Sequence, residues 1–223
     1  MHFSTAAVAA LTTTAFAAAT TRADCHDYVL ISTRGTGEEQ GPSIGFKGMI
    51  SQTLDKVPNG VEYDTVYPAG DDQNTTEAVS DMIKKIDDGL DSCPDQKYAL
   101  LGYSQGATAV LDTLNSDDLS AAAKKVIDAV VLIGNPYRLP NQESNVEGAG
   151  SVKKTTGEAN TLSTKRIPKA FDESGKVADY CYIDDYVCND PDASKDDETG
   201  HLKYGSDDTL QHAAAQHLIK YLS

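Results

Sequence analysis

Five residues constrain this chain more than any others: Gly102-Tyr103-Ser104-Gln105-Gly106, of the form G-x-S-x-G. An apolar run, Tyr98-Ala99-Leu100-Leu101, leads into them, and an amphipathic segment, residues 107–114, follows. That order predicts a strand, a sharp turn and a helix. Such a turn lifts a serine hydroxyl above the end of a sheet, and glycines flank it because strand and helix approach too closely there for larger side chains.

The surrounding pattern repeats the alternation. Residues 28–33 are β-branched and apolar and end at Arg34-Gly35, which predicts a first strand. Residues 44–57 carry Phe46, Met49, Ile50, Leu54 and Val57 at helical spacing, and residues 61–67 alternate as a strand does. Residues 77–90 gather Val79, Met82, Ile83, Ile86 and Leu90 on one helical face, which Cys93-Pro94-Asp95 ends. Residues 97–102 form the strand before the turn. Residues 126–133 are a continuous apolar run, suited to a strand buried on both faces. A strand over residues 177–183 and a helix over 209–222 complete the chain. The expectation is a single α/β domain of about five parallel strands, with helices on both faces and no large lid. Residues 141–164 read as a long polar surface loop, and residues 184–198 as a second, strongly acidic one.

Asp and Glu number 34 against 19 Lys and Arg, a formal net charge of −15. That field repels phosphates, so it argues against nucleic acid and disfavours anionic membranes as partners, and a neutral substrate is easier to admit. Residues 8–19 are apolar and alanine-rich, too short to span a bilayer, and small residues follow them. They predict a signal peptide ending near Ala19 or Ala23, although His2 stands where Lys or Arg is usual. The domain then covers residues 24–223, and the protein is expected to be secreted, soluble and monomeric. Cys25, Cys93, Cys181 and Cys188 remain, an even count that suits two disulfides in an oxidising compartment. Three pairings are possible; the seven-residue spacing of Cys181 and Cys188 favours a local loop, which leaves Cys25 with Cys93. Asn74-Thr75-Thr76 is a glycosylation sequon in a polar stretch.

A serine hydroxyl needs a general base, and the base needs an orienting carboxylate. Where a strand–turn–helix of this kind resembles the α/β-hydrolase elbow, the chain order is Ser, then Asp or Glu, then His. His212 and His217 fall within the closing helical pattern. His201 falls in a loop, where it can reach over the ends of the strands, and is the expected base. Asp184, Asp185, Asp190 and Asp192 are candidates for the acid. A Cys181–Cys188 loop would clamp Asp185, but Asp184 and Asp185 are not separable on physical grounds alone. The developing oxyanion needs donors: the Gln105 backbone N–H, and a group from Arg34-Gly35-Thr36-Gly37-Glu38 after the first strand, where Thr36 offers both N–H and hydroxyl. A phosphate cradle would need G-K-[ST] or a complete G-x-G-x-x-G there, and the chain has neither.

Taken together, four landmarks make the chain similar to the cutinases and cutinase-like serine esterases. They are Arg34-Gly35-Thr36 with Glu38 close behind, Gly102-Tyr103-Ser104-Gln105-Gly106-Ala107 with Cys93 upstream, Cys181-x-x-x-Asp185-x-Val187-Cys188, and His201-Leu202-x-Tyr204. Residues 34–46 look closer to the cutinase-like esterases of yeasts and other fungi than to those of plant pathogens. The resemblance implies Ser104 as nucleophile, His201 as base, Asp185 rather than Asp184 as acid, and Thr36 with Gln105 as oxyanion hole. It also implies the pairs Cys25–Cys93 and Cys181–Cys188. No metal or cofactor is expected. The implied activity is hydrolysis of carboxylic esters, on a polymer such as cutin or on short soluble esters. An acetylxylan esterase of the same family, and a non-catalytic secreted binding protein on this fold, are the alternatives. Two features depart from the family pattern: residues 190–198 are unusually acidic where cutinases often carry apolar rim residues, and residues 141–164 look lengthened.

Overall fold

The computed structural model describes residues 25–160, 165–190 and 199–223. The expected signal peptide and most of the acidic stretch before His201 lie outside the described residues. In chain order the elements are β1 (Tyr28–Thr33), α1 (Lys47–Lys56), β2 (Gly60–Asp64), α2 (Thr76–Ser92), β3 (Lys97–Tyr103), α3 (Gln105–Asn115), α4 (Ala121–Val126), β4 (Ile127–Ile133), α5 (Lys169–Asp172), β5 (Val177–Tyr180), α6 (Thr199–Leu202) and α7 (Asp208–Leu222).

All five strands are parallel, in the order β2-β1-β3-β4-β5. The central strands are buried along nearly their whole length, which is why they read as continuous apolar runs. Their side chains alternate between two cores. Val29, Ile31, Tyr98, Leu100, Val130 and Leu132 face α2, α3 and α4, where Met82, Ile86, Val110 and Leu111 cover them. Tyr28, Leu30, Leu101, Val131 and Ile133 face α1 and α7, where Met49, Ile50, Leu210 and Leu218 cover them. The sheet is thus the middle of three layers, as the alternation predicts.

The chain leaves β1 toward one edge to make β2, then returns to place β3 on the other side of β1. Thr33 of β1 lies beside Gly102 of β3 in the parallel register. The loops after these two strands therefore diverge around one crevice at the carboxyl ends, the position where open α/β sheets hold their ligands.

The observed elements differ from the expectation in several places; β5, for one, ends at Tyr180 rather than at residue 183. β2 stops at Asp64, because the next residues turn to serve Arg34: its guanidinium donates to the carbonyls of Thr65 and Tyr67 at 3.3 and 2.5 Å and lies over the Tyr67 ring. A helix, α4, precedes β4; its sequence signal was Ser120 before three alanines, and the Ser120 hydroxyl accepts from the Ala123 N–H. Residues 141–160 form a loop, as expected, but it is only partly a surface one. Ser144, Asn145, Ser151 and Thr155 are buried, and Asn145 and Ser151 bridge to Asp179 and Tyr182 beside β5. Beneath them Arg138 forms a fully buried ion pair with Asp179 at 2.6 Å, and Asn135 donates to the second carboxylate oxygen at 2.9 Å. Disulfides join Cys25 to Cys93 and Cys181 to Cys188. Among the described residues no helix is long and apolar enough to cross a membrane.

Candidate active site

Ser104 sits between β3 and α3 with φ 55° and ψ −118°, a conformation that side-chain-bearing residues rarely adopt. Its neighbours make the turn sterically possible. A Cβ on Gly106 would lie 2.0 Å from the Thr33 carbonyl oxygen, and one on Gly102 would lie 2.6 Å from the Ala107 Cα. Neither position accepts a side chain, so the glycines of the motif are required by the approach of α3 to β1 and β3.

His201 lies on α6, a short helical turn rather than the loop expected, and is mostly buried. Its Nε2 is 2.9 Å from Ser104 Oγ, and its Nδ1 is 3.0 Å from both carboxylate oxygens of Asp185. With Nδ1–H donating to Asp185, the Nε2 lone pair faces the serine hydroxyl. Gly134, at φ +58° after β4, leaves room for the ring: a Cβ there would meet His201 Cε1 at 2.6 Å. The Tyr103 hydroxyl donates to the His201 carbonyl at 2.9 Å and fixes the backbone behind the ring.

Asp185 and Asp184 have different surroundings. Asp185 is 0% exposed, within the loop that Cys181–Cys188 closes. Its Oδ1 also accepts the Val187 N–H at 2.9 Å, and its Oδ2 accepts the Tyr204 hydroxyl at 2.6 Å. Burial first, and then the Asp185 charge, hold the Tyr204 phenol well above its ordinary value, so it remains an O–H donor. The Asp184 side chain is 45% exposed and binds Lys203 at 2.7 Å. The other histidines after Ser104 are engaged elsewhere on α7. His212 bonds Gln52 of α1, and His217 Nε2 donates to the Lys176 carbonyl, with burial lowering its pKa.

Gln105 follows Ser104 in the chain, and Thr36 meets the Gln105 side chain from the loop after β1. Gln105 is the first residue of α3, so its backbone N–H is at the positive end of the helix and is accepted by no protein group among the described residues. The Thr36 hydroxyl donates to Gln105 Oε1 at 3.3 Å and accepts from Gln73 Nε2 at 3.0 Å, and Gln105 Nε2 donates to the Gly70 carbonyl at 3.1 Å. Glu38 closes the Thr36 loop: its carboxylate accepts the N–H groups of Gly35 and Ile44 and the Ser43 hydroxyl. Gln73 and the structural role of Glu38 were missed by the sequence reading. Gln73 carries no sequence signal, since it comes from the distant β2–α2 loop. Tyr204 stood within a motif, but only its hydroxyl's contact with Asp185 gives it a task.

These residues open into one cleft of about 350 Å³, lined by Thr36, Gln73, Ser104 and His201 together with Pro136, Glu158, Tyr186, Val187 and Leu202. Leu202 is 56% exposed, so the rim has an apolar side as well as the carboxylate of Glu158. A nucleophile activated by an oriented base, beside two prospective oxyanion donors, is the arrangement for acyl transfer.

The family model described as Cutinase matches residues 24–222. A cutinase of Coprinopsis cinerea is 32% identical over 154 residues, covering 62% of this chain and 74% of that protein. Over the next curated relatives the chain covers less of their length, from 47% to 58%. A cutinase-like protein from Cryptococcus sp. superposes with a TM-score of 0.81 at 34% identity, over 90% of this chain and 97% of that one. An acetyl xylan esterase superposes with a TM-score of 0.71 over 89% of this chain and 100% of that one, but at 19% identity shares the fold alone.

Proposed function

This chain belongs to the cutinase family of carboxylic ester hydrolases, and on that premise we propose that it is a secreted serine esterase working through Ser104, His201 and Asp185. The observation that carries this reading is the continuous bonding from Ser104 Oγ through His201 to Asp185 at 2.9 and 3.0 Å. Ser104 Oγ attacks the ester carbonyl carbon while its proton passes to His201 Nε2. The carbonyl oxygen, now negative, is held by the Gln105 N–H and by Thr36, whose hydroxyl rotates from Gln105 Oε1 toward it. His201 returns the proton to the leaving alcohol, and the C–O bond breaks to leave an acyl-serine. Water, deprotonated by His201, then releases the acid and restores the hydroxyl. Asp185 orients the ring throughout and stabilises the imidazolium. The two disulfides, the sequon and the apolar N-terminal stretch support secretion.

The substrate is a neutral ester, because the protein carries a net charge of −15 and Glu158 lines the cleft. The same field favours departure of the carboxylate product. The Leu202 side of the rim suits an apolar acyl chain or a polymer segment. A second reading, deacetylation of an acetylated polysaccharide, draws on the polar lining supplied by Thr36, Gln73 and Glu158. Hydrolysis of p-nitrophenyl esters from acetate to palmitate, with Ser104→Ala as control, tests both. Activity greatest at butyrate to octanoate and absent from the variant supports the first reading. A sharp preference for acetate moves the assignment to the second. Turnover that survives in Ser104→Ala refutes the nucleophile.

A further inference from the structure

The sequon Asn74-Thr75-Thr76 is the only Asn-x-Ser/Thr in the chain, and nothing in the catalytic scheme uses it. It adjoins the cleft directly. Gln73, the preceding residue, lines the cleft and holds the Thr36 hydroxyl at 3.0 Å. Gln73 has φ +56°, a left-handed turn; both it and Asn74 are exposed, and Gln73 reaches the cleft through its bond to Thr36. The next residue pins the segment: Thr75 is buried, and its hydroxyl donates to Asp112 Oδ2 at 2.6 Å on α3, the helix that starts at the Ser104 turn. Asn74 is therefore exposed but held in place relative to Ser104. Its Oδ1 accepts the Thr76 N–H at 3.0 Å, and its Nδ2 donates to no group among the described residues.

We propose that Asn74 carries an N-linked glycan, and that this glycan shields the Thr36 side of the cleft, so that soluble esters enter freely while a flat polymer surface is held away. The site itself rests on the sequon and its exposure; the role rests on the esterase reading above. The modification forms a bond between Asn74 Nδ2 and the anomeric carbon of an oligosaccharide. It breaks that carbon's bond to a lipid diphosphate donor of the secretory membrane, and the displaced amide proton leaves with the diphosphate. A glycan is bulky and hydrated. Placed one residue from the cleft lining, it stands between Ser104 and any extended solid surface approaching from that side, whereas a small ester needs only the cleft.

The test uses the full chain secreted from a fungal host. Intact mass and peptide mapping read occupancy in the wild type, Asn74→Gln and Thr76→Ala; one glycan in the wild type and none in either variant is expected. Rates are then compared on p-nitrophenyl butyrate and on a poly(butylene succinate) film, before and after endoglycosidase trimming. Trimming and both variants are expected to raise the film rate by about threefold or more while the soluble-ester rate stays nearly constant. An unmodified Asn74 overturns the site. An occupied Asn74 whose trimming leaves the film rate unchanged, or raises both rates alike, overturns the shielding. Absence of turnover on both substrates in every form refutes the esterase reading and the shielding with it, while the mass still decides the site.

Discussion

Replacing Tyr204 by Phe removes one oxygen from beneath the candidate triad and leaves the packing in place. The ring stacks on Tyr182 at 4.6 Å and meets Tyr103 edge-on at 6.1 Å, contacts that phenylalanine keeps. The lost oxygen donates to Asp185 Oδ2 at 2.6 Å and accepts the Tyr182 N–H at 3.3 Å, and Tyr204 is only 1% exposed. A hydrogen bond to a charged group contributes about 1.5–3 kcal/mol, and a buried N–H left without an acceptor costs about 1 kcal/mol more. For a domain of this size each kcal/mol moves Tm by about 2–4 °C, so a fall of roughly 5–15 °C is expected. Asp185 keeps the Val187 N–H and His201, so the carboxylate is loosened rather than released. A loss of about tenfold in kcat, equal to about 1.4 kcal/mol, follows. KM should hardly change, because Tyr204 does not line the cleft. Thermal unfolding followed by circular dichroism and steady-state hydrolysis of p-nitrophenyl butyrate measure the two effects. Tyr182→Phe is the control: its hydroxyl donates to Asp207 Oδ2 at 2.7 Å, away from the triad, and its kcat should stay near wild type. A Tyr204→Phe protein that melts within about 2 °C of wild type with full kcat refutes the reasoning.

Asp185→Asn should lower kcat by about 10⁴-fold through the wrong imidazole tautomer. Asp184→Asn should stay within about twofold, since it loses only a half-exposed pair with Lys203; equal losses in the two variants would reject the assignment of the acid. Asp179→Asn strands the buried Arg138 guanidinium and should destabilise by about 3–5 kcal/mol, read from urea unfolding. A change below about 1 kcal/mol would mean that the pair is not closed to water. On β2, partial burial, and then the neighbouring Asp64, raise the Glu62 carboxyl from its ordinary 4.5 to about 7. The folded state then binds the proton more tightly than the unfolded one, so this contribution is complete below pH 4.5 and is lost as pH rises through 7. The Tm of Glu62→Gln minus that of wild type should therefore increase from pH 4.5 to 7.5, and a flat difference would show that Glu62 titrates normally.

Much of the molecule was legible in the chain because its signals are local. Burial on both faces produces the continuous apolar runs of β1, β3 and β4. One-sided burial produces the 3.6-residue period of α2, and the Ser104 turn needs Gly102 and Gly106 because no other residue fits between α3 and the strands. Those features set the strand–helix alternation, the candidate nucleophile and the α/β class. His201 and Asp185 were within reach through chain order and the family motif, but local pattern could not separate Asp185 from Asp184. That separation is tertiary: one side chain turns into the core against His201 and Tyr204, and its neighbour turns out to Lys203.

Other features came only from parts of the chain meeting at a distance. Residues 141–160 are polar, and by composition they belong on the surface. Folded, part of the segment faces water, but the Thr155 hydroxyl and the Val152 carbonyl turn inward to Arg138, so some of its polarity serves an internal charge. Thr65 to Tyr67 alternate like a strand but leave the sheet to bind Arg34. Gln73 joins Thr36 across 37 residues, and Thr75 joins Asp112 across the same separation. A hydrogen bond between residues so far apart leaves no period in the sequence. Hydrophobic spacing therefore determined which segments are strands and helices, while the closure of polar groups on one another, which depends on three-dimensional proximity, decided what surrounds Ser104.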